Sequence, residues 1–220
     1  IVIISYAGAT QLMAGGTVTI SGGNVIHTFT SSGYLTPLKY VNNSLRFRSS
    51  ASAYLNRTFG TPTSATTWTW SAWIKRGLFS NGFMFGRGTG PESYIAWSSD
   101  SLEFYDYNGS YQFRLITSQV FRDPSAWYHI VVVADTTQAT STNRLKIYVN
   151  GVQVTAFSTS TYPSQNYNTT LNANATVYLG RAQFVSTYYD GYMTEINFID
   201  GQALTPNSFG TFNSYGVWQP

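Results

Sequence analysis

The sequence predicts an all-β protein, on three observations. Helical periodicity is almost absent, whereas short runs rich in Val, Ile, Tyr, Phe, Trp and Thr recur between Gly, Asn, Asp and Ser punctuation. Two of the three Asn-Gly pairs, Asn108-Gly109 and Asn150-Gly151, sit between runs whose residues match apolar to apolar and polar to polar. The 220 residues are 43% hydrophobic and 17% aromatic but only 10% charged, against about 25% charged in ordinary globular chains. That describes a large core under a neutral hydroxyl and amide surface. Sandwiches and barrels commonly run to roughly 200–250 residues as one unit, so one main core is expected.

Residues 1–41 stand apart by their low charge. Thr17 to Ile20 and Val25 to Thr30 flank a Ser21-Gly22-Gly23-Asn24 turn, which predicts a single hairpin, too small to bury a core alone. This N-terminal β extension is expected to serve attachment or oligomerisation. The apolar start Ile1-Val2-Ile3-Ile4 would be left exposed in an isolated monomer, and it lacks the charged flank and cleavage pattern of a signal peptide. The missing initiator Met leads us to expect a fragment or a processed chain.

Residues 42–220 form the main domain. Strands are predicted over Trp68 to Lys75, Phe83 to Gly86, Ser93 to Ser98, Trp127 to Asp135, Thr176 to Leu179 and Tyr192 to Ile199. Alternation puts Trp68 and Trp70 on one face, as core, and Trp73 with Lys75 on the other. Nearly every residue from Tyr128 to Ala134 is apolar, which predicts a central strand covered on both faces.

A two-residue turn at Asn108-Gly109 opposes Phe104 to Phe113 and Leu102 to Leu115 on one face. It opposes Glu103 to Arg114, as an exposed ion pair, and Tyr105 to Gln112 on the other. A turn at Asn150-Gly151 likewise opposes Val149 to Val152, Ile147 to Val154 and Leu145 to Ala156, with Tyr148 to Gln153 and Lys146 to Thr155 behind them. Helix is confined to one turn at 204–209, with Thr205 as N-cap and Pro206 as first helical residue.

Several functions are excluded by what is missing. Without cysteine there is no disulfide framework, thiolate zinc site or thiol nucleophile. The twelve basic residues are scattered, with only Lys75 and Arg76 adjacent, so no nucleic-acid partner is expected despite the net charge of +3. No stretch approaches the roughly 18 apolar residues of a membrane span. His27 and His129 lie on separate strands with no serine or cysteine motif beside them, and are read as sheet-face or core residues.

Carbohydrate binding asks for flat rings to cover a pyranose face, with hydrogen-bonding groups around them. If strands 93–98, 102–107 and 110–115 form a meander, Trp97, Tyr105, Tyr107, Gln112 and Arg114 come together, while Tyr162, Tyr167, Tyr188 and Tyr189 crowd two later loops. The competing reading is that these rings favour strands or pack between subunits.

The order of seven segments carries a family resemblance: Ser44-Leu45-Arg46-Phe47, Trp68 to Lys75, Trp127 to Val133, Leu145 to Gly151, Tyr178-Leu179-Gly180-Arg181, Asp190 to Ile196, and Gln202-Ala203-Leu204-Thr205-Pro206. It is similar to the concanavalin A-like, laminin G-like jelly roll over about residues 42–220. The resemblance implies a two-sheet antiparallel sandwich. Phe121 to His129 and Phe198 to Pro206 most resemble domains in structural proteins of tailed phages, often marine ones, and Val25 to Gly33 resembles a hairpin near the ends of phage tail and fibre proteins. These matches imply a virion surface or appendage protein with fibre or virion subunits as partners, homo-oligomeric, and host-surface polysaccharide as a further partner. Laminin G-like domains often bind calcium at the sandwich rim; the resemblance makes Asp190 and Asp200 the candidate ligands, with Asp123 and Asp135 also near turns. No other cofactor is required.

The same superfamily includes glucanases, in which Glu-x-Asp-x-x-Glu lies on one strand. The glutamates here are Glu92, Glu103 and Glu195, none followed by Asp two residues on. Asp100, Glu103 and Asp106, three apart, alternate faces on a strand. Glycoside cleavage needs two carboxyl groups about 5–10 Å apart, so the expectation is adhesion without turnover.

Overall fold

The structure is a computed structural model, and it describes residues 1–37, 41–88, 90–213 and 215–220. Ile1–Asn42 with Pro220, and Asn43–Gln219, are two compact units.

In the first unit, the Gly22-Gly23 pair, with φ of 59° and 75°, closes a hairpin between β3 (Thr17–Ser21) and β4 (Asn24–Phe29). The opening segment, which the sequence did not declare as a strand, forms β1 (Val2–Ala7) on the other side of β4, giving the order β1-β4-β3. Short strands β2 (Met13–Ala14) and β5 (Thr36–Pro37) pair with each other. Val25, His27 and Phe29 alternate inward on β4. Tyr6 stacks on His27, whose Nδ1 lies 2.7 Å from the Gly15 carbonyl oxygen.

The second unit is the predicted sandwich. Its strands are β6 (Leu45–Phe47), β7 (Leu55–Thr58), β8 (Thr67–Arg76), β9 (Gly82–Arg87), β10 (Glu92–Ser98), β11 (Ser101–Tyr107), β12 (Tyr111–Val120), β13 (Tyr128–Asp135), β14 (Leu145–Val149), β15 (Val152–Gln153), β16 (Phe157–Thr161), β17 (Thr176–Leu179), β18 (Gly191–Asp200), β19 (Thr211–Phe212) and β20 (Trp218–Gln219). One antiparallel sheet runs β16-β12-β11-β10-β9-β17-β7, the other β15-β14-β13-β8-β18-β6.

The period-2 pattern explains the core between them. Trp68, Trp70, Ala72 and Ile74 of β8, with Ile130, Val132 and Ala134 of β13, face Phe85, Ile95, Trp97, Phe104, Phe113 and Leu115 of the other sheet. At roughly 1.5–3 kcal/mol for each fully buried apolar side chain, this layer dominates stability.

The other face of the six-stranded sheet is covered as well, by the chain's own last segment. Thr69 Oγ1 donates to the Gln202 carbonyl, Trp73 stacks on His129 at 4.9 Å, and the Trp218 ring meets His129 edge to edge, nearly parallel, with ring centres 5.8 Å apart. Trp218 Nε1–H donates to His129 Nδ1 at 2.9 Å, which leaves the imidazole proton on Nε2, 2.9 Å from Ser71 Oγ. Hence β13 is central and buried on both faces, as its apolar run requires.

Both Asn-Gly corners turn the chain, with different outcomes. Asn150 and Gly151, at φ 49° and 81°, oppose Val149 to Val152 and Tyr148 to Gln153 as expected. The pairing fades after Val154, whose amide bonds the Ile147 carbonyl, so Val152 is exposed and no Leu145–Ala156 pair forms. The chain instead crosses to the other sheet, where β16 pairs with β12.

At Asn108-Gly109 the register is two residues from the expected one: Phe104 opposes Leu115, Tyr105 opposes Arg114, and Tyr107 opposes Tyr111 across a wider loop. A β-bulge between Asp106 and Tyr107 makes the difference. A shift of two keeps every side chain on its face, so Leu102, Phe104, Phe113 and Leu115 are all buried. Pro206–Ser208 is a single 3-10 turn with proline at its start, and Thr205 does not cap it through its side chain. No helix among the described residues is long and apolar enough to cross a membrane.

Candidate functional site

The outer face of the seven-stranded sheet is the one that remains open. A single register line crosses all seven strands: Thr161, Arg114, Tyr105, Tyr94, Gly86, Tyr178 and Asn56. Gly86 is required there, because a Cβ would lie 2.1 Å from Cδ1 of the Tyr94 ring. Tyr94 is fully buried at the centre of this face by Phe83, Tyr105 and Ala182, and its hydroxyl accepts the Gln183 amide, tying residues 181–188 across the sheet. Burial pushes the Tyr94 phenol up to about 12.

Beside this strap lies a depression of about 410 Å³. Its floor is Ala96, which stands opposite Phe83 on one side and Glu103 on the other, so a short side chain among long ones leaves the space. Phe83 and Phe184 form one wall; Tyr105, Tyr107 and Tyr111 form the other. Tyr111 meets Tyr105 and Tyr107 edge-on at 5.8 and 5.2 Å, and the Arg114 guanidinium lies 4.7 Å from the Tyr111 ring centre. Arg114 Nε donates to Glu103 Oε1 at 2.7 Å. Asn81 and Glu92 complete the rim. Burial holds the Glu92 carboxyl above its ordinary range, partly offset by a hydrogen bond from Tyr105. The arrangement offers ring edges and faces together with paired charges, amide and hydroxyl groups.

Of the residues singled out from the sequence, Tyr105, Tyr107 and Arg114 meet at this depression. Trp97 also belongs to the lining, but its ring is in the core, with the residue only 2% exposed. It packs inward on Phe121 at 5.1 Å under the buried guanidinium of Arg76, which donates to the Phe121 and Ser99 carbonyls. Gln112 donates to Ser110 and secures the hairpin loop. Glu103 and Arg114 form the expected ion pair, but on the diagonal and with Glu103 only 8% exposed, so it is part of the site floor rather than a solvated surface pair.

Tyr162 and Tyr167 pack against the sandwich core, and the Tyr167 hydroxyl donates to buried Asp106, whose other oxygen accepts the Thr170 amide and hydroxyl. Tyr189 is buried and donates to the Lys75 carbonyl, while its neighbour Tyr188 remains partly exposed. Sequence reasoning missed Tyr111, Phe83, Phe184, Asn81 and Glu92. Tyr111 was recoverable from the Asn108-Gly109 corner once the loop is widened; Phe184 comes from an irregular segment with no periodic signal.

The calcium candidates are occupied by protein donors. Asp190 accepts Arg46 Nη2 at 2.9 Å and the Ser49 amide and hydroxyl at 3.0 and 3.1 Å. Asp200 accepts the amides of Thr63 and Ser64 and the Asn172 side chain. Cations want several unengaged oxygens, and the described residues contain no group of three or more His, Cys, Asp or Glu placed to hold one. Both aspartates clamp neighbouring turns.

A family model described as the concanavalin A-like lectin/glucanases superfamily matches residues 47–208, well over half of the chain. No curated protein sequence matches. Among solved structures, the chain is similar to domains LG4-5 of the mouse laminin α1 chain (TM-score 0.55, 17% identity, 76% of this chain and 44% of that one). It is similar to a protein of Bacteroides ovatus ATCC 8483 whose proposed role is carbohydrate binding (0.53, 19%, 86% and 50%). It is also similar to domain 4 of AbnA, a GH43 extracellular arabinanase from Geobacillus stearothermophilus, in complex with arabinotriose (0.50, 16%, 93% and 84%). The chain spans about half the length of the first two. At these identities the likeness is one of fold.

Proposed function

The chain belongs to the concanavalin A-like lectin/glucanase superfamily, and from that premise we propose that it is a non-enzymatic adhesion module. It holds host-surface glycan in the aromatic depression of its seven-stranded sheet. The observation that carries this reading is the trio Tyr105, Tyr107 and Tyr111 beside the Ala96 floor, with the Glu103–Arg114 pair and Asn81 within the same 410 Å³. Apolar ring surface flanked by fixed donors and acceptors is what a pyranose requires. Fold neighbours named for carbohydrate binding, or bound to arabinotriose, support the same use.

Adhesion without turnover is our reading of the carboxylates on this face: Glu103 is engaged by Arg114, and no Glu-x-Asp-x-x-Glu run of the glucanase type is present to supply the carboxyl pair that glycoside cleavage uses. The setting we assign is a virion surface or appendage, a tail fibre or head decoration, and so extracellular; the phage-type segments read in the sequence support it.

A glycan array tests the site. The chain should be retained on a subset of surface polysaccharides, and Tyr111→Ala, at an exposed position, should weaken retention about tenfold. No retention of the unaltered chain on any glycan overturns the reading, and depolymerisation of a retained polysaccharide overturns its non-enzymatic part.

A second reading rests on the first unit. Ile1, just before β1, is 91% exposed, and Val2, Ile3 and Ile20 on the two edge strands are 58, 64 and 55% exposed, an apolar margin suited to pairing with another copy. Light scattering with and without residues 1–41 decides it: an oligomer that becomes monomeric supports assembly through this unit, and a monomer in both cases removes it.

A further inference from the structure

The outer sheet face carries a second constellation. Tyr178 stands on the seven-strand register line, with its neighbour Val177 buried in the core. Arg181 follows β17 and forms a bridge with Tyr188. Its guanidinium carbon lies 4.7, 5.2 and 5.7 Å from the ring centres of Tyr54, Tyr178 and Tyr188. Tyr54 in turn lies 6.0 Å from Tyr178 and 6.4 Å from Tyr188, so the three rings form one cluster around the cation.

Arg181 differs from six of the other eight arginines in what its edge touches, and from the exposed Arg48 and Arg57 in the rings that hold it. Arg46, Arg114 and Arg122 pair with carboxylates, and Arg76, Arg87 and Arg144 donate to backbone carbonyls through their terminal nitrogens. Arg181 donates only from Nε, to the Ala182 carbonyl at 3.1 Å, and among the described residues neither terminal nitrogen has an acceptor or an ion-pair partner. Rings attract the face of the cation and fix its plane, while the planar edge keeps donors matched to a two-oxygen anion.

Next to it lies a hydroxyl-lined depression of about 510 Å³, with Ser49, Ser80, Asn81, Ser186 and Thr187 on its walls and Tyr188 common to it and the cage. Asn81 also belongs to the rim of the tyrosine depression, so the two hollows adjoin on one surface.

We propose that Arg181, held by Tyr54, Tyr178 and Tyr188, is an anion subsite that selects acidic saccharides, taking the carboxylate or sulfate of one sugar residue while the hydroxyl-lined depression takes its ring. The inference rests on the glycan-binding reading and adds a ligand class to it.

The test uses matched pairs on the full chain: trigalacturonic acid against its methyl ester for carboxylate, and lactose 3′-sulfate against lactose for sulfate. At least one charged member should bind about tenfold more tightly than its neutral partner, as one charge-assisted contact provides. The preference should shrink with added salt. Arg181→Gln should abolish it while leaving neutral binding intact, Arg181→Lys should keep part of it, and Tyr111→Ala should weaken both members alike. Equal affinity for both members of both pairs, with binding present, overturns the anion subsite alone. A preference that survives Arg181→Gln, or that ignores salt, also overturns it. Absence of binding to all four probes removes the glycan-binding reading with it. If Arg181→Gln lowers the melting temperature, the salt titration of the unaltered chain and the Arg181→Lys variant remain decisive.

Discussion

The outward faces of the two sheets are built from similar residues and finished differently. On the six-stranded sheet, Trp218 closes against His129, which stacks on Trp73, and two of the polar groups find partners there: His129 Nδ1 in the Trp218 indole, Thr69 in the Gln202 carbonyl. On the seven-stranded sheet the strap at 181–188 crosses once, burying Tyr94 and leaving two adjoining depressions beside it. A face closed by its own chain contributes stability, whereas one left half open keeps rings and charges at the surface. The proposed glycan site lies on the half-open side of the sandwich, and the closed side is structural.

Removing the roof should have the largest effect. Trp218→Ala deletes a buried ring and the donor to His129, and it should cost about 3–5 kcal/mol in denaturant unfolding. A loss below about 1 kcal/mol would mean the two faces are not unlike after all. Next is Gly151→Ala. Its φ is 81° and the new Cβ would lie 2.4 Å from the Trp218 ring, so about 2 kcal/mol is expected from conformation and crowding together. Gly109→Ala, at φ 73° with nothing within 4 Å, should cost only the conformational part, about 1 kcal/mol.

Acid should act through the aspartate clamps. Burial favours the neutral form of Asp190, but the Ser49 amide, Arg46 and the Ser49 hydroxyl outweigh it and hold its carboxyl below the ordinary range; Asp200 is held low by Thr63, Asn172 and Ser64 against the same burial. The unfolded chain then binds more protons than the folded one between the folded value and about pH 4. Their stabilisation is present above about pH 4 and is lost as pH falls through the folded values. The melting temperature should decline in that window, and Asp190→Asn should flatten part of the decline; an unchanged profile would remove the clamp role. The smallest effect on stability belongs to Tyr111→Ala on the open face, within about 0.5 kcal/mol, despite its loss of glycan retention. A large destabilisation there would show that the open face is structural too.

How far each feature was legible depended on the range of the interaction that sets it. Parity was legible: Phe104 and Ile147 are buried, and Trp68 and Trp70 face inward while Trp73 faces out. The same parity, applied to Ser93-Tyr94-Ile95-Ala96-Trp97, puts Trp97 with Ile95 in the core, and its ring chemistry led the sequence reading to the wrong face. Register was legible only near the turn. Asn150-Gly151 opposes Val149 to Val152, yet the strand is drawn away after Val154 because Phe157–Thr161 pairs with the opposite sheet. The corner at Asn108-Gly109 is widened beside a bulge at Asp106, whose carboxylate is held by Tyr167 and Thr170 some sixty residues on.

The sequence by itself therefore determined the all-β class, the face of most strand residues and the positions of the tight corners, because these depend on side-chain alternation and local backbone conformation. Tertiary structure alone decided which outward face is roofed, that Ala96 stands among long neighbours, and that Tyr54, Tyr178 and Tyr188 surround Arg181. Those facts depend on which distant strands become neighbours, and no local pattern encodes that.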